Sequence, residues 1–98
     1  MTDDFSRIKR DERQWQDRQG GSLQDRAYAR PGTRMVMEGQ FSRVAKAMQL
    51  EAGTRVLDIG CGTGIFLTWL ARNAKGTLYG LDLSKTSLNS ARQKHNAL

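Results

Sequence analysis

Three of the chain's ten glycines fall within five residues, Gly60-Cys61-Gly62-Thr63-Gly64, directly behind the apolar run Val56-Leu57-Asp58-Ile59. Glycine reaches positive φ without steric cost and lets a ligand come close to the backbone. A short β-rich run, a glycine loop and then the apolar-periodic Ile65-Phe66-Leu67-Thr68-Trp69-Leu70-Ala71 together predict a buried strand, a tight turn and a helix. That order puts the loop at the carboxyl edge of a sheet, where open α/β folds bind ligands.

A second strand and a further helix follow, without any sequence repeat. Thr77-Leu78-Tyr79-Gly80-Leu81-Asp82-Leu83 reads as a second strand, after Asn73 and Gly76 have ended the helix. Ser84 reads as the N-cap of a further helix with Leu88, Ala91, Arg92 and His95 along one side. Upstream, from Thr33, residues Met37, Phe41, Val44, Ala45 and Met48 recur at helical spacing, while Glu38, Gln40, Arg43 and Lys46 point elsewhere. That methionine-rich stripe is expected to be core, and Ala52-Gly53 to stop the helix. Helix, strand, loop, helix, strand, helix is the opening of an alternating α/β fold with a parallel sheet.

Residues 1–32 are different in kind. Phe5, Ile8 and Trp15 form a thin stripe ending at Gly20-Gly21, and Ser22 with Asp25 loosely caps a turn through Tyr28 before Pro31-Gly32 breaks it. The segment is expected to be polar and partly helical or disordered, with Trp15 and Tyr28 as packing residues.

The chain of 98 residues carries a net charge of +6, from 16 basic and 10 acidic side chains. The excess is diffuse: eight basic against six acidic in residues 1–34, eight against four in residues 35–98. With no aromatic series between the basic residues, a nucleic-acid contact is only weakly supported, and a solvated mixed surface is the better reading. Cys61 is the only cysteine, so an internal disulfide and a paired-cysteine metal site are excluded. A reducing, cytoplasmic setting fits. The start, Met-Thr-Asp-Asp-Phe-Ser-Arg, lacks the charge and apolar stretch of an export signal, and no run is long enough for a membrane span.

The glycine spacing, G-x-G-x-G, departs from the dinucleotide fingerprint G-x-G-x-x-G. Asp58 aims a carboxylate at the mouth of the loop, a poor neighbour for a pyrophosphate and a good one for a cation. Asp82, at the end of the second strand, is placed to reach the same cleft and accept the hydroxyls of a ribose. The ligand is expected to be partly cationic and to carry an adenosine-like group.

Val56-Leu57-Asp58-Ile59-Gly60-Cys61-Gly62-Thr63-Gly64, followed by Gly80-Leu81-Asp82-Leu83-Ser84, resembles the first two motifs of class I S-adenosylmethionine-dependent methyltransferases. The resemblance covers residues 33–98 and implies a Rossmann-like, doubly wound parallel sheet, cut off here after the second strand and helix. It implies S-adenosyl-L-methionine as cofactor, with Asp58, Gly60, Cys61, Gly62 and Gly64 in the loop that cradles the methionine portion. Asp82 would then hold the ribose and Leu83 flank the adenine. It also implies a helical cover over the cofactor from the preceding segment, with Tyr28 or Arg34 lining the site.

A methyl sulfonium is already an electrophile, so such a protein chiefly aligns a nucleophile and excludes water. Cys61 has no activating partner in the sequence and reads as a small apolar loop residue, and His95 as a surface residue near a helix C-terminus. Residues that select the methyl acceptor, expected to be a small molecule, would lie beyond Leu98; the catalytic residues are unassigned. The chain is expected to be the first half of a domain, or to complete its sheet with another chain. Two further readings stand beside methyl transfer: a nicotinamide-linked oxidoreductase fragment, and a noncatalytic cofactor-binding or interaction module.

Overall fold

A computed structural model describes residues 4–19 and 22–97. Their order is α1 (Asp4–Gln19), α2 (Ser22–Ala29), α3 (Pro31–Met48), β1 (Arg55–Ile59), α4 (Ile65–Asn73), β2 (Thr77–Leu81) and α5 (Lys85–Asn96). The Gly20-Gly21 stop expected after the first helix lies outside the described residues, as do the side chains of Phe5 and Ser22.

The two strands pair in parallel, with Arg55 opposite Thr77, Leu57 opposite Tyr79, Asp58 opposite Gly80 and Ile59 opposite Leu81. A parallel pair needs a crossover, and α4 supplies it. The α/β class and the parallel sheet expected from the sequence are therefore present. The burial expected of β1 is not. Side chains alternate between faces along a strand, and Leu57, Ile59, Tyr79 and Leu81 all fall on one face that is left exposed, Ile59 by 75%. Only the opposite face, with Val56 and Leu78, is half-buried. Leu67 of α4 reaches that side, where a Cβ on Gly80 would lie 2.9 Å from its Cδ1. One-sided cover is the physical reason: an apolar run marks a strand suited to burial on two faces, but covering elements must exist on both.

The centre of packing is α4, where Leu70 is fully buried and Ile65 nearly so. Phe66 and Trp69 share that apolar side, each packed at a tilt against Phe41 of α3 at centroid distances of 4.9 and 5.8 Å. The α3 stripe is thus engaged, yet no residue of α3 is fully buried, and Val44 is exposed. Of the residues assigned to its outer side, Gln40 is exposed as expected and Glu38 is half-buried. Glu38 accepts a hydrogen bond from Trp69 Nε1 at 3.2 Å, and Gln40 lines a cleft described below. The aromatic pair Phe41 and Trp69 turns the helix so that the position one turn before Phe41 meets the indole nitrogen.

Helix boundaries also shift. Helix α2 ends at Ala29, ahead of Pro31 as expected, with Arg30 extended, and Pro31 itself opens α3 at its start, where its missing N–H costs nothing. The helix stops at Met48, ahead of Ala52-Gly53, because Gln49 takes a left-handed conformation with φ 48° and donates to Lys46 O. Ser84 caps α5 as expected, its Oγ accepting from Ser87 N at 3.1 Å. The inward side of α5, however, runs through the buried Ser87, the half-buried Leu88 and Ala91, and Lys94, while Arg92 and His95 are exposed. Ala91 decides this: its Cβ sits where Gly64 has none.

Apart from the extended Arg30, the described residues of the N-terminal segment are helical. On α1, Ile8 and Trp15 remain exposed, by 60% and 45%, so Trp15 packs less than expected.

Candidate functional site

All three loop glycines adopt positive φ: 78° at Gly60, 57° at Gly62 and 78° at Gly64. This is why the loop can be built from glycine and from little else. Their surroundings differ. A Cβ on Gly60 would meet no atom within 4 Å, so this backbone is open to approach. On Gly62 it would meet Gln24 Oε1 at 3.5 Å, and on Gly64 Ala91 Cβ at 3.0 Å. Gly64 therefore admits α5 against the start of α4.

The loop amides are largely committed. Gly60 N and Cys61 N both donate to Leu81 O, at 2.6 and 3.0 Å, and Gly64 N donates to Cys61 O at 3.0 Å. Gly62 N donates to Asp82 Oδ2 at 2.8 Å, and the other oxygen of Asp82 accepts from Ser84 N at 2.9 Å. Asp82, just past β2, thus ties the glycine loop to the start of α5. Each carboxylate oxygen has two acceptor sites, so these bonds leave capacity for another donor.

A cleft of about 300 Å³ opens beside the loop, lined by Gln24, Gln40, Phe41, Val44, Asp58, Gly60, Cys61, Ile65 and Phe66. It brings together Asp58, Gly60 and Cys61. Gly62, Gly64, Asp82 and Leu83 are outside its lining, Gly62 and Asp82 being bonded to each other behind it. Leu83 is 47% exposed.

Burial raises the Asp58 carboxyl above its ordinary range, and the nearby Asp82 charge raises it further. Folding therefore disfavours the ionised form of Asp58 relative to the unfolded chain. Its contribution to stability is full below the unfolded value and is lost as pH rises through the folded one. Asp58→Asn is accordingly expected to raise the melting temperature at neutral pH, with the gain vanishing in acid below the ordinary aspartate range. Thermal melts of both proteins across pH check this, and a variant less stable at neutral pH contradicts it.

Cys61 is 8% exposed, with its Sγ against Gly80. Burial, then Asp58 and Asp82, push its thiol up, which keeps it protonated and a poor nucleophile. Tyr28 and Arg34, expected to line the site, do not. Arg34 Nε donates to Tyr28 O at 3.1 Å and its guanidinium lies over the Tyr28 ring at 5.3 Å, so the two engage each other. Helix α2 reaches the loop one turn earlier, through Gln24 and Asp25. Thr63 Oγ1 donates to Asp25 Oδ1 at 2.7 Å. Lys94 Nζ donates to Asp25 Oδ1 and Oδ2 at 3.1 and 3.3 Å and to Thr63 O at 2.9 Å. Sequence reasoning missed Gln24, Asp25, Gln40, Thr63 and Lys94. A hydroxyl set among the loop glycines was the one available signal, at Thr63; the Asp25–Lys94 pair spans 69 positions and leaves none.

Residues 56–98 match a protein family described as a methyltransferase domain. Methyltransferase GfsG of Streptomyces halstedii is 35% identical over 57 residues, which are 58% of this chain and 20% of that protein. A probable fatty acid methyltransferase of Pseudomonas putida is 33% identical over 60 residues, 61% of this chain and 15% of the other. This chain thus spans a fifth or less of the length of these curated relatives. Among solved structures, a SAM-dependent methyltransferase from Thiobacillus denitrificans in complex with S-adenosyl-L-homocysteine superposes with a TM-score of 0.53 at 36% identity. The match covers 60% of this chain and 24% of that one.

Proposed function

We propose that this chain, which belongs to the class I S-adenosyl-L-methionine-dependent methyltransferase family, binds that cofactor and serves methyl transfer to a small-molecule acceptor. The observation that carries the reading is the left-handed glycine loop at the carboxyl end of a parallel strand pair. At Gly60 it is open to ligand approach, and two carboxylates flank it. The residues suit the cofactor: Asp58 offers a negative charge to a sulfonium or ammonium at the cleft. Bound S-adenosylmethionine would supply a methyl group already activated for direct displacement.

In this reading Asp58, Gly60 and Cys61 meet the methionine portion, with Gly62 and Gly64 shaping the loop behind them. Asp82 accepts from the ribose while holding Gly62, and Leu83 flanks the adenine. Residues 33–98 form the cofactor-binding part of the domain, and the described helices of residues 1–32 cover it. The fatty acid named for the Pseudomonas relative supports a small, apolar acceptor class. A cytoplasmic setting belongs to the same reading, supported by the unpaired Cys61; no described helix is long and apolar enough to cross a membrane. The glycine spacing and the carboxylate of Asp58 favour this ligand over a nicotinamide dinucleotide.

Titration calorimetry with S-adenosylhomocysteine and with NAD separates the two ligands. Micromolar binding of the first, about −8 kcal/mol, with none of the second is the expected result. NAD binding alone contradicts it.

A further inference from the structure

The cleft is furnished with few side-chain hydrogen-bond donors. Of its lining residues only Gln24 and Gln40 carry side-chain amide N–H groups, while Asp58 offers an acceptor and the rest are apolar, glycine or the Cys61 thiol. The neighbouring loop is little help, because the amides of Gly60, Cys61, Gly62 and Gly64 are already donating within the protein. A ligand with an amino-acid end presents both charges. Its ammonium suits Asp58, and its carboxylate needs donors that this loop has largely spent.

The Gln24 side-chain amide ends at Gly62, its Oε1 3.5 Å from where a Cβ on Gly62 would stand, and a turn of the amide plane brings its N–H groups there instead. Its neighbour Asp25 is bonded on both oxygens, by Thr63 Oγ1 and Lys94 Nζ, and the same lysine holds Thr63 O. Thr63 is fully buried, and Lys94 and Asp25 are about two-thirds covered, at 31% and 37% side-chain exposure. Three elements distant in sequence, α2, the glycine loop and α5, are thereby clasped at one point, one residue from Gln24.

We propose that Gln24 is a cofactor-contacting residue that donates to the carboxylate of the amino-acid end, and that the Asp25–Thr63–Lys94 clasp is the positioning device that holds it over the loop. The inference rests on the cofactor reading above and adds to it a specificity for the amino-acid end. Without the clasp, α2 would be free to lift, and the amide would lose its fixed place relative to the loop.

The test compares two ligands on the same protein: S-adenosylhomocysteine, which has the amino-acid end, and 5′-methylthioadenosine, which lacks it. Gln24→Ala is expected to weaken S-adenosylhomocysteine about tenfold or more, the worth of a hydrogen bond to a charged group, and to leave methylthioadenosine unchanged. Lys94→Met should produce the same selective loss, and adding it to Gln24→Ala should cost little more, since both act on one contact. Thr63→Val should behave like Lys94→Met, with Thr63→Ser restoring the wild-type preference; this pair carries the clasp test if Lys94→Met fails to fold. Equal weakening of both ligands, or full affinity for both, in folded Gln24→Ala overturns the contact and leaves the cofactor reading standing. A selective loss in Gln24→Ala with normal binding in Lys94→Met and Thr63→Val overturns the clasp. Wild-type protein that binds neither ligand overturns this inference together with the reading beneath it.

Discussion

Asp82→Ala should weaken S-adenosylhomocysteine binding by at least tenfold, and by about a hundredfold if ribose contact and loop support are both lost. Two backbone donors, Gly62 N and Ser84 N, end on this one carboxylate at 2.8 and 2.9 Å. Leaving a sheltered donor without its acceptor costs about 1–3 kcal/mol. The Gly62 amide would then be released from the β2 side, and the loop would lose the tether that sets its distance from the second strand. The ribose bond proposed for Asp82 would add about 1.5–3 kcal/mol, which is one to two decades in affinity. An analogue of the ligand without ribose hydroxyls separates the two parts. Loop support weakens both ligands equally, whereas a ribose contact weakens only the natural one. Calorimetry that finds unchanged affinity in a folded Asp82→Ala protein removes Asp82 from the site.

Gly80→Val is expected to lower the melting temperature by about 5–10 °C, against the direction that strand propensity alone would give. Gly80 pairs with Asp58 in the ladder, so its backbone is held. A Cβ there would lie 2.7 Å from Cys61 Sγ and 2.9 Å from Leu67 Cδ1. Leu67 can turn its methyl aside, but the Cys61 side chain is short and nearly buried. Overpacking of this kind costs about 1–3 kcal/mol, and valine brings two further methyl groups into the same place. The cause is checked by a cycle on the smaller change. Gly80→Ala should destabilise, and Cys61→Ala should recover part of that loss, because it deletes the sulfur and leaves only the Cys61 Cβ at 3.3 Å. A Gly80→Val protein that melts higher than wild type, or an additive Cys61–Gly80 cycle, contradicts this account. The same contact explains Cys61 without chemistry: a small, protonated side chain fits over a glycine in the adjacent strand.

Gly60, Gly62 and Gly64 show how far local information reaches. A left-handed backbone at each is a local steric requirement, and the glycine pattern announced it without knowledge of any neighbour. Ser84 is similar, since a cap bond closes over three residues. The parallel pairing of β1 and β2 followed from strand, helix, strand order, because a short crossover helix leaves few alternatives. These elements, and the placing of Asp58 and Asp82 at adjoining strand ends, belong to the sequence by itself.

What each of those groups touches was decided by tertiary structure. A glycine loop can offer its amides to a ligand or to the protein, and only the nearness of Leu81 O and Asp82 commits three of them inward, a fourth closing on Cys61 O within the loop. Helical periodicity sorted Glu38 to the outer side of α3, since it records apolar spacing and is blind to Trp69 Nε1, whose bond holds the carboxylate half-buried. The face of α5 turned on the missing Cβ of Gly64, a contact with no period at all. The sheet face bearing Leu57, Ile59, Tyr79 and Leu81 has the composition of a buried surface and stands exposed, because burial belongs to the elements around a strand. Asp25 and Lys94 mark the limit most clearly. Their charges were legible, but a bond across 69 residues exists only once α2 and α5 have been folded to the same loop.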